Sequence, residues 1–84
     1  MAPRDDNPDE LTQKTLKQVG ERLRAIRKGK GFSNYEQFAN KYALNRSTYG
    51  KYEKGQDLRL SSLLKILRIM EISPSDFFSE GFDS

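Results

Sequence analysis

The 84-residue sequence has no cysteine and no histidine. It therefore cannot use thiolate or imidazole catalysis, form disulfides or build a zinc site from the usual ligands. No apolar run approaches the roughly 20 residues that a membrane-spanning helix needs, and from its acidic, polar composition we do not expect the N-terminus to be a signal peptide. No pair of acidic residues is placed for general acid–base work. These absences predict a cytoplasmic protein that is not an enzyme and has no metal, cofactor or membrane partner.

Positive charge is concentrated in the middle of the chain. Residues 17–68 carry thirteen Lys or Arg against four acidic residues, whereas residues 1–16 and 69–84 are both net acidic. A basic centre between acidic ends suggests a polyanionic partner. Taken alone, this distribution of charge along the chain is equally consistent with an ordinary solvated surface.

Apolar residues recur with helical spacing, and no segment alternates with the period of two that strands require. We therefore expect an all-α fold of five helices in one small domain. The first begins at Asn7-Pro8-Asp9-Glu10, with Asn7 as its N-cap, and ends at residues 28–31. The second is capped by Ser33 or Asn34. The fourth is capped by Ser61 and buries its leucines, and the fifth begins at Ser73-Pro74.

The third helix, within NRSTYGKYEKG at residues 45–55, has two chemically different faces. Asn45 is a suitable N-cap and Gly55 a suitable C-terminal stop. The inward face holds Tyr49, Tyr52 and Glu53, and the outward face holds Arg46, Ser47, Gly50, Lys51 and Lys54. Because a helix of this length is unstable alone, its aromatic face must pack on other helices. Gly50, costly inside a helix, suggests close approach to a base edge or a thymine methyl group.

The link between the second and third helices is only Ala43-Leu44. Ala39 at the crossing, Ala43 in the turn and Leu44 pointing inward suit two helices that meet at a steep angle. This is the arrangement of a helix-turn-helix.

Residues Val19 to Phe78 resemble the Xre/Cro-type, lambda-repressor-like DNA-binding domains. The resemblance is carried by VGERLRAIRKGKGFS, EQFANKYALNRSTYGKYEKG, LSSLLKIL and ISPSDFF, in the family's order and spacing. It implies a compact five-helix domain whose helix-turn-helix is formed by helices 2 and 3, with helix 3 entering the major groove of operator DNA.

The same resemblance assigns residues by position. It implies base contacts from Arg46, Ser47 and Lys51. It implies backbone contacts from Asn34, Tyr35, Thr48 and Lys54. It also implies an internal ion pair of Arg27 with Glu53. The chain departs from the family pattern in its longer loop before helix 2, in its two inward tyrosines and in Gly50. The basic residues Arg22, Arg24, Lys28 and Lys30 are expected to form a solvated face, with distal attraction for phosphate left open.

We therefore expect a sequence-specific transcriptional regulator, a repressor associated with the nucleoid. Two alternatives remain open: an antitoxin that autoregulates its operator beside a toxin partner, and a protein-interaction module that uses the basic face. Because one helix reads only a few base pairs, we expect a homodimer on an inverted-repeat operator. Phe82 is a candidate dimer contact, unless it packs back on its own helix 4. Residues 8–80 are expected to form the domain, between a disordered tail at 1–7 and a C-terminal tail at 81–84.

Overall fold

The computed structural model of the protein describes residues 9–82, and these form five α-helices with no strand among them. The helices are α1 (Glu10–Gly29), α2 (Tyr35–Lys41), α3 (Arg46–Glu53), α4 (Leu60–Met70) and α5 (Pro74–Phe77). The predicted all-α, five-helix architecture is confirmed. Within the described residues, no helix is long and apolar enough to cross a membrane.

Three of the helices begin at the caps that the sequence predicts. The side-chain oxygens of Asn34, Asn45 and Ser73 each accept a hydrogen bond from the backbone N–H three residues later, over 2.9, 2.9 and 3.1 Å. Each bond satisfies an N–H that has no partner inside its helix. The choice left open between Ser33 and Asn34 is thereby decided for Asn34.

The start of α1 differs from the prediction. Its N-cap is Asp9, whose carboxylate accepts a 2.8 Å hydrogen bond from the Thr12 backbone N–H. This hydrogen bond lowers the pKa of Asp9, because it favours the charged carboxylate. Asn7 and Pro8, where the prediction began the helix, lie outside the described residues. As an N-cap, Asp9 also places a negative charge at the positive end of the helix dipole, which is favourable.

The start of α4 is a second correction. The chain is already helical at Leu60, and the Leu63 N–H donates to the Arg59 carbonyl over 3.0 Å. Ser61 therefore lies inside the first turn and caps nothing, and the N-cap Arg59 makes no capping side-chain bond. Leu60 is 66% exposed, contrary to the expectation that all leucines of this helix are buried. It is the first residue of α4, three residues before the first buried leucine, Leu63.

A single core joins the helices. Its fully buried aromatic residues are Phe38, Tyr49 and Phe77, and the Phe38 ring lies 5.1 Å from the Tyr49 ring, centroid to centroid. The other buried members are Val19, Leu23, Ala39, Leu63, Ile66, Leu67 and Met70. Phe38 and Tyr49 thus fix α2 on α3, and with them the shape of the helix pair that the sequence singles out.

The turn between α2 and α3 depends on an unusual backbone conformation. Ala43 has φ 57°, in the left-handed region that usually favours glycine. The Leu44 N–H donates across this turn to the Ala39 carbonyl over 2.8 Å. This closes α2 with the hydrogen-bonding pattern of a Schellman motif, and it directs the chain into α3 within a few residues.

Candidate nucleic-acid interface

Helix α3 has one buried face and one exposed face. Tyr49 is 1% exposed and Tyr52 is half-buried against the core. On this helix or at its end, the residues that the sequence assigned to DNA are all exposed: Arg46, Ser47, Thr48, Lys51 and Lys54. Since the aromatic face is committed to packing, the polar and basic face is the one available to a partner.

Gly50 does not belong to that exposed face. It is buried, and the ring of Tyr35 from the start of α2 covers it. A Cβ at this position would lie 2.6 Å from Cε1 of Tyr35, closer than real carbon atoms approach. The glycine therefore makes room for a tyrosine of the same domain. The sequence-based explanation, that Gly50 lets the helix approach a base closely, is wrong.

A second glycine, Gly20 of α1, fixes where α3 lies, and sequence reasoning missed it. A Cβ there would lie 2.5 Å from the Glu53 backbone oxygen and 2.6 Å from that of Tyr52. Helix α1 therefore crosses the C-terminal end of α3 in direct contact with its backbone. The available signal was a glycine inside an amphipathic helix beside the apolar residue Val19, which is often a sign of close helix packing.

Arg27 and Glu53 join α1 to α3 through a buried ion pair. The Arg27 Nε donates to Glu53 Oε2 over 2.8 Å, and Nη2 donates to Oε1 over 3.0 Å. The remaining nitrogen, Nη1, donates to the Phe32 carbonyl over 2.7 Å. The side chains are only 4% and 7% exposed. The hydrogen bond to Glu53 raises the pKa of Arg27, so the guanidinium stays charged and held in place.

The hydroxyl of Tyr49 is buried beside this pair without a hydrogen-bonding partner of its own. Burial, and then the neighbouring Glu53 carboxylate, raise the pKa of Tyr49 well above its usual range. An unpaired buried hydroxyl costs free energy.

The start of α2 lies next to α3 and presents two polar side chains. Asn34 uses its oxygen to cap α2 and leaves its amide nitrogen free to donate. Tyr35 is partly exposed while its ring covers Gly50. Despite the longer loop before α2, both residues line one cleft with Gly50 and Lys54.

Arg22 does not belong to a solvated basic face, contrary to expectation. Its guanidinium donates from Nε to the Phe77 carbonyl over 2.9 Å and from Nη2 to the Asp76 carbonyl over 3.0 Å. It also pairs with the exposed Glu80 at 3.4 Å. Arg22 thus holds the C-terminal end of α5, where a cation is favoured by the helix dipole. Arg24, Lys28 and Lys30 are exposed, as expected.

Phe82 packs on its own chain. Its ring lies 5.8 Å from that of Phe77 and 4.8 Å from that of Phe78, and the residue is half-buried. Its packing partners in the ring contacts belong to α5 and the residue after it, whereas the sequence considered helix 4. Phe78, at 42% exposure, is the more exposed aromatic residue of this group.

Two helices joined by a tight turn, the second with an exposed basic face, define a helix-turn-helix protein. The family model described as helix-turn-helix matches residues 23–77. The chain belongs to this family, of the Xre and lambda-repressor type, and it is a domain that binds double-stranded DNA. Neither a search of curated proteins nor a search of solved structures finds a match.

Proposed function

We propose that this protein is a transcriptional regulator that represses from a specific operator, which it reads with α3 in the major groove. The observation that supports this most directly is the exposure of Arg46, Ser47 and Lys51 on α3, the helix whose Tyr49 is buried in the core. Because these side chains are already exposed, α3 can approach DNA without unpacking its buried face.

The residues of this face divide by chemistry. Arg46 and Lys51 suit the two acceptors of guanine, and a good bidentate contact discriminates by about 1–3 kcal/mol. Ser47 would contact a base beside them. Thr48, Lys54, Asn34 and Tyr35 would bind phosphates, which fix the orientation of a protein on DNA and carry no sequence information themselves.

The same proposal includes a two-fold dimer on an inverted repeat. A single α3 of eight residues spans too few base pairs to select one operator. Two copies with recognition helices about 34–36 Å apart would read successive turns of the major groove. The exposed ring of Phe78, with Phe82 beside it, is the apolar surface near the C-terminus that suits such a contact.

Two other roles compete with a stand-alone repressor. An antitoxin would read its own operator with the same face and bind a toxin with another surface. A protein-interaction module would use the basic face for an acidic protein and would have no preferred DNA sequence. Neither role involves catalysis, and the helix-turn-helix family is typically non-enzymatic.

Salt dependence separates DNA reading from protein binding. We expect fluorescence anisotropy with labelled duplexes to give a linear log–log plot of affinity against salt concentration. A selected site should bind at least about 10³-fold more tightly than random DNA. Equal affinity for all duplexes would contradict the proposal, and so would binding to none at low salt.

A further inference from the structure

A cleft of about 330 Å³ opens between the C-terminal half of α1, the start of α2 and the end of α3. Its floor includes the Arg27–Glu53 pair, in which the two charges cancel. Its other charged residues are Arg24, Lys28 and Lys54, all cationic. The cleft is therefore positively charged, and two of its cations lie on α1, to which the family resemblance assigns no DNA contact.

Within the part of the chain that the structure describes, none of these three cations has an ion-pair partner. The two ion pairs found within residues 9–82 are Arg22–Glu80 and Arg27–Glu53, and neither involves them. Arg24 and Lys28 are also one helical turn apart on α1, a spacing at which like charges destabilise a helix. Within the cleft the Glu53 carboxylate is already paired, so a bound anion would be attracted by the three cations.

The cleft is continuous with the surface that we propose for DNA. It is lined by Ser33, Asn34 and Tyr35 at the start of α2, and by Gly50 and Lys54 on α3. The free amide nitrogen of Asn34 adds a neutral donor to the cationic ones. Phosphate contacts on DNA use this combination of charged and neutral donors.

We infer that the cleft binds the phosphate backbone of the DNA, so that Arg24 and Lys28 make α1 a third element of the interface. This inference rests on the proposed DNA-binding function. It adds two phosphate contacts beside the recognition helix and no base contacts. Arg24 and Lys28 therefore strengthen binding to any sequence and leave the preferred sequence unchanged.

The test is the salt dependence of binding by the variant R24Q/K28Q to a random-sequence duplex. Each lost phosphate contact should lower the slope of log affinity against log salt by about 0.9. The matched control is K14Q/R68Q, which removes the same charge from exposed residues outside the cleft. We expect the control to keep the wild-type slope. We also expect both variants to select the wild-type site from random duplexes.

The outcomes separate the inference from the function on which it rests. If wild-type protein binds DNA but R24Q/K28Q keeps the wild-type slope, the cleft does not bind phosphate and the inference fails alone. An equal loss of slope in the control also overturns it, since the effect would then reflect net charge. If wild-type protein binds no duplex at low salt, the proposed function and the inference fail together. Circular dichroism should show that R24Q/K28Q melts close to wild type, because both side chains are exposed and neither forms an ion pair within residues 9–82.

Discussion

Glu53→Gln should destabilise the domain far more than its small change in volume suggests. The carboxylate accepts two hydrogen bonds from Arg27, at 2.8 and 3.0 Å, where the side chains are 4% and 7% exposed. An amide of the same shape can accept only one of them and turns its NH₂ group toward a guanidinium nitrogen. The Arg27 charge would then be buried without a counter-charge.

Removing one member of a buried pair costs about 3–5 kcal/mol. Because glutamine keeps one acceptor, we expect about 3 kcal/mol for Glu53→Gln. At about 4–8 °C per kcal/mol for a domain of this size, the melting temperature should fall by about 12–24 °C. Urea unfolding followed by circular dichroism measures the same loss as a lower midpoint with an unchanged slope.

The chain provides a matched control in Glu80→Gln. Glu80 pairs with Arg22 at 3.4 Å, but its side chain is 76% exposed. Exposed pairs contribute about 0–1 kcal/mol, so this variant should unfold close to wild type. If Glu53→Gln and Glu80→Gln unfolded at the same urea concentration, the argument that the Arg27–Glu53 pair holds α1 to α3 would be refuted.

Three further substitutions, two of them with a matched control, test the backbone and the core. Ala43→Gly should raise the free energy of unfolding by about 0.5–1 kcal/mol, because glycine adopts the left-handed conformation at φ 57° without strain. The control Ala25→Gly, at an exposed helical position, should lower the free energy of unfolding by about 0.5–1 kcal/mol. Equal effects of the two substitutions in urea unfolding would contradict the assignment of strain to Ala43. Gly20→Ala should destabilise the domain by about 1–3 kcal/mol, because the added Cβ would lie 2.5 Å from the backbone of α3. The higher helix propensity of alanine offsets about 1 kcal/mol of this loss. The control Gly29→Ala, whose Cβ would have nothing within 4 Å, should not destabilise the domain. Above about pH 10 the unfolded chain ionises Tyr49 while the folded chain, in which its pKa is raised, does not. Tyr49 should therefore lower the free energy of unfolding by about 1.4 kcal/mol for each further pH unit. The variant Tyr49→Phe should not show this contribution. The same alkaline dependence in both proteins would contradict the burial of the Tyr49 hydroxyl.

Local signals in the sequence were enough to predict the helices and the exposed face of α3. Caps such as Asn45 act on the next turn, and apolar spacing reports which face of a helix is buried, so both can be read over a few residues. The family match confirms the helix-turn-helix that these signals indicated. Ser61 failed as a cap because helical backbone began one residue before it, which no local pattern distinguished.

The rest depended on contacts between distant segments. Arg22 donates to a carbonyl 55 residues away, and its spacing on α1 gives no indication of that partner. The sequence placed Gly50 on the exposed face of α3, but in the structure Tyr35 of α2 covers it. Arg24 and Lys28 acquire a shared cleft with Lys54 only when α1 and α3 cross. Periodicity tells which face is buried, but it does not tell which side chain covers a given atom.

Binding-site selection from random duplexes, with wild type, Arg46→Ala and Lys54→Ala in parallel, tests the central claim most directly. Wild type should select an inverted repeat with half-sites about one helical turn apart. Arg46→Ala should lose about 1–3 kcal/mol and relax the preference at one base pair in each half-site, whereas Lys54→Ala should bind all sequences more weakly and keep the same preference. If Arg46→Ala selects the wild-type site with unchanged preference at every position, α3 does not read the bases and the account is contradicted.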